Sequence, residues 1–410
     1  MSGVVTGASG AGGAQQYQIS GAVFTALLIF TQLPGVLSYT IPLPLLAEMG
    51  KELADDAASA FLVTLIAGAI GPAMAVGSLA GGLLADRIDR RWLLMALGAI
   101  YIVAALAPYA AGTIELIVAT RLIVGFAAGA LMAIGFTMVG DYLPENKRAG
   151  TIGMMSALNM ITSLVSLPAA GFVGEAGWRP AFLLYLAIIP LVALASPRSL
   201  PVPRKPALPE GGQAAPKPGL RDLPWGLVLL AVVVGIILTV PGIYISFHLA
   251  SIGLGGTSTV AMIMMGNSLV AAVFSAFFGK ATGRFSWKLI FVISFSTMGF
   301  GLVVLAYAPS VWFVVPAMLV MGIGMGWLAP GIPAKAVESV DDGRRGTVVG
   351  VVQGAAAAAP LVGLAVLEPL LPVVGTLGIM LAVAGLSLLL FAFYAVSRSD
   401  RPRAPQPALH

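Results

Sequence analysis

The sequence predicts an all-α membrane protein: twelve transmembrane helices in two pseudo-symmetric six-helix halves. Three observations carry this. Composition is the first: of 410 residues, 59% are hydrophobic and 10% are charged, against about 25% charge in a soluble globular domain. A water-soluble chain this apolar would expose very large hydrophobic patches, so the bilayer is the expected solvent. The second is a series of apolar runs long enough to span. The third is a fixed offset of 197 residues between the halves: Gly82 maps to Gly279, Arg87 to Arg284, Arg91 to Lys288, Gly125 to Gly322, Gly129 to Gly326, Arg148 to Arg345 and Gly153 to Gly350. Duplicated halves with a solute site between them near the bilayer midplane are a recurring transporter design.

The apolar runs lie at 21–46, 58–84, 92–112, 114–140, 150–172, 180–196, 224–249, 257–279, 288–308, 311–334, 347–371 and 374–396. Several contain proline (Pro34, Pro72, Pro168, Pro241), which neighbours in a membrane bundle tolerate and which bends a helix. With a cytoplasmic N-terminus, 19 of the 22 Lys and Arg fall on cytoplasmic segments; only Lys51 and Arg179 lie in outer loops, and Arg121 is inside a span. This positive-inside bias sets the expected orientation, with both termini cytoplasmic in a bacterial-type inner (plasma) membrane. Residues 1–20 read as a disordered cytoplasmic tail, 21–196 as the N-terminal half, 223–396 as the C-terminal half and 397–410 as a second cytoplasmic tail. Between the halves, 197–222 contain seven prolines and read as an extended cytoplasmic linker.

Composition excludes several chemistries. There is no cysteine, and the only histidines are His248 and His410, so thiolate catalysis and a multi-histidine metal site are not expected. No span carries the paired acids or histidines of an intramembrane enzyme. The net charge of +5 has a membrane explanation, and no nucleic-acid partner is expected. The expected partners are the bilayer and a small-molecule solute, and the chain is expected to be a monomer.

Five charged residues crowd the turn in GGLLADRIDRRWLL (81–94): Asp86, Arg87, Asp89, Arg90 and Arg91. Gly82, Leu84, Ala85, Asp86, Arg87, Arg90, Arg91 and Leu94 fit the pattern G-x-L-A-D-R-x-G-R-[KR]-x-x-L, with Asp89 where the pattern has glycine. Further along come RLIVGFAAGA (121–130), LPENKRAG (143–150) and GWRPAF (177–182); SLPAAG (166–171) keeps only part of a Gly-Pro motif. In these segments the chain resembles the major facilitator superfamily of secondary transporters, closest in motifs to its twelve-helix drug:proton antiporter-like members. The resemblance runs from about residue 20 to 396. It implies that the helix 2–3 charges form a conformational latch, and that Arg121 serves proton coupling or substrate contact.

The residues allow more than one reading. Asp86, Arg87, Arg90, Arg91 and Asp141 either set topology alone or form the latch, with the helix starting near Thr347 presenting its positive end to the carboxylates. At Asp89, a turn with positive φ is expected to tolerate aspartate. Arg121 lies about 10 Å deep at 1.5 Å per residue. It either snorkels outward or faces a pathway. No Asp or Glu lies near the middle of a span. The proton is therefore the expected coupling ion on family grounds, with Glu368, Asp86, Asp141 or a relay through Arg121 as carriers and no other cofactor. Thr25, Gln32 and Tyr39 recur every seven residues on one face of helix 1. With Asn159, Tyr244, Asn267, Trp327 and Gln353 they are candidates to line a cavity or to bond between helices. The function expected is alternating-access transport of a small organic solute, as proton-coupled efflux of drug-like or amphipathic compounds. The alternatives are uptake or facilitated transport of an organic anion contacting Arg121, and a non-transporting membrane scaffold or sensor.

Overall fold

A computed structural model describes residues 21–53, 56–195, 223–251, 257–340 and 345–397. The tails 1–20 and 398–410 and the linker 197–222 lie outside the described residues. Twelve apolar segments follow in the expected order among the described residues: α1 (Phe24–Leu45), α2 (Ile70–Ala85), α3 (Arg90–Ala110), α4 (Ile114–Tyr142), α5 (Glu145–Gly174), α6 (Trp178–Leu194), α7 (Trp225–Ser251), α8 (Thr257–Ala276 continued by Phe278–Arg284), α9 (Trp287–Ala306), α10 (Val311–Glu338), α11 (Arg345–Leu367) and α12 (Leu371–Val396). Eight of these are long and apolar enough to cross a membrane as they stand, and α8 is bent by 52° at its break. No strand occurs among the described residues.

Two expected spans are interrupted. α1 breaks at Thr31 and Gln32, immediately before Pro34. Proline has no N–H to return to the preceding turn. The Pro34 carbonyl in turn accepts bonds from Ser38 Oγ (2.6 Å) and Tyr101 Oη of α3 (2.9 Å). The second run divides into Ala57–Gly68 and α2. The leading piece is capped by Asp56, whose carboxylate accepts from the Ser59 N–H at 2.7 Å while Ser59 Oγ accepts from the Asp56 N–H at 3.0 Å. Such a reciprocal cap fixes a helix start.

The 197-residue offset reappears as matched contacts. A Cβ at Gly125 of α4 would lie 2.7 Å from the Ile70 carbonyl oxygen; one at Gly322 of α10 would lie 2.8 Å from that of Asn267. Ile70 and Asn267 are themselves 197 apart. Between halves, Gly153 of α5 abuts the Ser275 carbonyl of α8, and Gly350 of α11 abuts the Ser78 carbonyl of α2. Glycine lets these backbones touch, and any larger residue would force the pairs apart. The α2–α11 and α5–α8 contacts draw the halves together toward one end of the bundle. There α2, α4, α8 and α10 finish, and Arg87, Arg90, Arg148, Arg284, Lys335 and Arg345 gather. This end is called the basic face below.

Candidate functional site: a charged clamp and a polar lining

At the basic face the end of α2 meets the start of α11. Asp86 caps α2, and its carboxylate accepts from the Gly346 N–H (3.0 Å), the Thr347 N–H (2.9 Å) and Thr347 Oγ1 (2.7 Å). The first turn of a helix leaves N–H groups unsatisfied and carries positive potential, so an anion there is favoured. Burial pushes the Asp86 carboxyl above its usual range, against the opposing pull of the Thr347 and Gly346 hydrogen bonds and of Arg90. The charge is therefore held at a desolvation cost that its donors only partly offset.

A second carboxylate ties the halves beside it. Asp141, near the end of α4, pairs with Arg90 of its own half and with Arg345 of the other, the latter at 2.6 Å. Arg90 Nε also donates to the Ala85 carbonyl at 3.3 Å, and Arg345 Nε to the Val337 carbonyl at 3.2 Å. Each arginine thus closes the C-terminal end of a neighbouring helix while holding Asp141. The Arg345 side chain is only 5% exposed, so one inter-half ion pair is almost dry. Breaking such a pair by removing one partner is strongly destabilising.

The structure does not bring all of the expected latch residues together. Arg87 is exposed and joins no ion pair among the described residues. Arg91 turns back onto Asp89 through Nη2 (2.6 Å) and Nε (3.0 Å), so it binds within its own loop. Asp89 is the N-cap of α3 and also accepts from the Arg91 N–H at 3.0 Å. Its φ is −60°, so the expected positive-φ turn is absent and aspartate is chosen here as a cap. Arg91 holds the Asp89 carboxyl below its usual range.

Arg121 is fully buried. Its guanidinium donates to Tyr185 Oη of α6 (3.0 Å) and to the Ala104 and Ala105 carbonyls of α3 (3.2 and 3.3 Å), and lies over the Phe182 and Tyr185 rings. Pro108, inside α3, cannot donate to the carbonyl four residues earlier, which is that of Ala104. Arg121 supplies the missing donor. It pins α4 to α3 and α6, and it does not snorkel outward.

Among the lining candidates, Gln32 is fully buried at the α1 break. Its Nε2 donates to Thr31 Oγ1 (3.2 Å), and its Oε1 has no partner. Tyr39 is 38% exposed, with its hydroxyl beside Gly71 of α2. Gln32 caps the Leu33–Thr40 piece with helical backbone angles, so it and Tyr39 keep their seven-residue spacing within one helical piece. Asn159 of α5 keeps a buried Oδ1 without a partner, as does Nε1 of Trp327 on α10. Trp327 packs edge-on against Phe274 of α8. Asn267 is buried and donates Nδ2 to the Met318 carbonyl at 2.7 Å, which makes it a bond between α8 and α10. Gln353 is half-buried on α11. Tyr244 and Glu368 sit in helical segments, but their side chains lie outside the described residues.

Three partnerless groups share one level. Thr40 Oγ1 bonds Ser166 Oγ at 2.6 Å, so α1 and α5 are level there. Eight residues back on α1 and seven on α5 stand Gln32 and Asn159, about 10–12 Å below at 1.5 Å per residue. Next to Asn159, Met160 packs with Ala271 and Ala272 of α8 and with Met325 and Ala329 of α10, which bracket Trp327. The two halves thus meet around uncharged hydrogen-bonding groups midway along the spans.

Two residues of the clamp region escaped the sequence reading. Arg345 was paired with Arg148 by the 197 offset but not placed in the latch. Glu338, the counterpart of Asp141 at the same offset, accepts from Trp287 Nε1 at 3.1 Å. An acid seven residues before an arginine in both halves, Asp141 with Arg148 and Glu338 with Arg345, was the available signal.

Comparison with known proteins adds to this geometry. The family model described as Major Facilitator Superfamily matches residues 28–266 and 227–409. A "Probable sugar efflux transporter" of Helicobacter pylori (strain ATCC 700392 / 26695) is 24% identical over 308 residues, 74% of this chain and 76% of that one. The "Uncharacterized MFS-type transporter YtbD" of Bacillus subtilis (strain 168) is 27% identical over 206 residues, 49% of this chain and 51% of that one. The match thus spans about half of the Bacillus protein. Among solved structures, the proton:xylose symporter XylE bound to 6-bromo-6-deoxy-D-glucose superposes with a TM-score of 0.75 at 14% identity, covering 93% of this chain and 97% of that one.

Proposed function

This chain belongs to the Major Facilitator Superfamily and is a secondary transporter, and from that premise we propose that it exports a small, uncharged, polyhydroxylated solute of the sugar class. The observation that carries the reading is the set of buried, partnerless groups at one level: Gln32 Oε1, Asn159 Oδ1 and Trp327 Nε1. Buried polar atoms are ordinarily paired, and a hydroxyl-rich solute supplies both the donors and the acceptors these groups lack. The name of the Helicobacter pylori relative supports the solute class and the outward direction.

The proposed cycle alternates about the clamp. The basic face is assigned to the cytoplasm by the positive-inside bias. Asp86 on the α11 start and Asp141 between Arg90 and Arg345 hold that side shut while the lining faces outward. Proton coupling is proposed with Asp86, Asp141 or Glu368 as carrier; Arg121, whose buried Nε has no hydrogen-bond partner, is otherwise engaged by α3 carbonyls and by Tyr185 and Phe182 of α6. That engagement argues against an organic anion anchored on Arg121. Drug-like amphipathic compounds are the second reading, favoured by the apolar residues around Asn159 and Trp327 (Met160, Met325, Phe274).

The test is radiolabelled counterflow in proteoliposomes carrying an internal pH dye, run with a panel of pentoses and hexoses beside a panel of lipophilic cations. Sugar-dependent flux lost in Gln32→Ala and Asn159→Ala supports the sugar reading. Flux of the cations alone replaces it with the second. Sugar flux without a pH change removes the proton.

A further inference from the structure

We propose that the C-terminal half carries a binding site for the phosphate headgroup of an anionic phospholipid, separate from the solute path. At the basic face a cavity of about 240 Å³ opens among the ends of α7, α9, α10 and α12. Leu227, Leu230, Phe291 and Tyr394 line it, together with Lys288 and Lys335. Lys288 Nζ donates to the Ser397 carbonyl at 2.6 Å, and Lys335 Nζ stands 4.8 Å over the Trp287 ring. A lysine has three donors, so each retains donors for an anion. Glu338, three residues from Lys335, accepts from Trp287 Nε1 at 3.1 Å and also interacts electrostatically with Lys335, so one carboxylate offsets part of the charge while the spare N–H donors of both lysines remain.

The duplication shows that the fold does not demand this arrangement. At the 197 offset, Lys335 corresponds to Met138 and Phe291 to Leu94, which are 1% and 0% exposed in the first half's core. Lys288 corresponds to Arg91, whose charge is held by Asp89. The second half replaces packed apolar core and a neutralised arginine by two lysines around a void. The level is that of a membrane interface. Trp225, Phe393 and Val396, at the same helix ends, are 53%, 64% and 86% exposed, as aromatic and apolar residues are where helices leave the bilayer. Basic pockets between helix ends at this depth suit lipid phosphates. The apolar walls take the glycerol and upper acyl carbons, so the occupant is a lipid and not free phosphate.

The test is native mass spectrometry of the full chain, purified and titrated with phosphatidylglycerol, phosphatidylcholine or soluble glycerol phosphate. The expected result is retention of phosphatidylglycerol over phosphatidylcholine, with no retention of glycerol phosphate. At about a factor of five per lysine, Lys335→Met weakens retention roughly fivefold and Lys288→Gln with Lys335→Gln roughly 25-fold. Lys335→Met copies the first half's residue, and so serves if the double variant fails to fold. Lys280→Gln with Arg284→Gln, on the same face but outside the cavity, leaves retention unchanged. Three results overturn the proposal: equal loss in that control, equal binding of glycerol phosphate, or no preference over phosphatidylcholine, as when the chain's own segment fills the cavity.

Discussion

Removing the Asp86 carboxylate opens the basic face. Asp86→Ala leaves the Gly346 N–H, the Thr347 N–H and Thr347 Oγ1 without their acceptor. Three bonds at a net of roughly 1 kcal/mol each give about 3 kcal/mol. The desolvation that raises the Asp86 pKa takes part of this back, leaving about 2 kcal/mol, or roughly a 30-fold shift of the open–closed equilibrium. Asp86→Asn, which keeps one acceptor oxygen, falls between wild type and alanine. The chain has no cysteine, so a spin-label pair is introduced cleanly. Ile88→Cys in the α2–α3 turn and Gly283→Cys near the end of α8 are exposed positions on opposite halves. Electron–electron resonance distances between them should lengthen in the order wild type, asparagine, alanine. Superimposable distributions in all three, with undiminished solute flux, would refute the clamp.

Other outcomes follow from the same contacts. Gly346→Ala places a methyl against the Asp86 carboxylate and the Gly82 carbonyl, so it should mimic Asp86→Ala in the spin-label assay while Thr347 stays intact. Arg345→Gln removes the inter-half partner of Asp141 and should lower the unfolding temperature as well as open the basic face; loss of neither would show the pair to be idle. Arg121→Lys keeps the charge but cannot reach Tyr185, Ala104 and Ala105 together, and should cost about 1–3 kcal/mol of stability with the solute's Kd unchanged, whereas a substrate-anchoring arginine would show a weakened Kd. Asp89 has its carboxyl pKa lowered in the fold. Its contribution is therefore complete above the ordinary carboxylate range and is lost as pH falls through the lowered value. Thermal melts of Asp89→Asn should depend less on pH than wild type below about pH 4, and identical profiles would remove Asp89 from the α3 cap.

Much of the site was legible, and the failures have physical causes. Asp86 facing a helix that starts near Thr347 was readable because a carboxylate at one helix end and free N–H groups at another attract whatever their detailed packing. Arg87 and Arg91 were grouped with the latch because sequence counts charges without directing side chains. In the fold Arg87 points to solvent and Arg91 is captured by Asp89. Arg121 illustrates the same limit. Its depth in α4 follows from counting residues, but its partners depend on Pro108 freeing a carbonyl on a different helix.

The sequence by itself determined the solvent, the number and order of the spans and the duplication, because hydropathy, basic bias and a constant offset are properties of the chain read along its length. The paired glycine contacts at Gly125 and Gly322, and at Gly153 and Gly350, are that offset expressed in space. Only the tertiary structure decided which charges meet across the halves, that Arg121 packs against α3 and α6, and that Gln32, Asn159 and Trp327 are left without partners at one level. Hydrogen bonds and ion pairs are made within about 3 Å, a distance set by how helices remote in sequence pack.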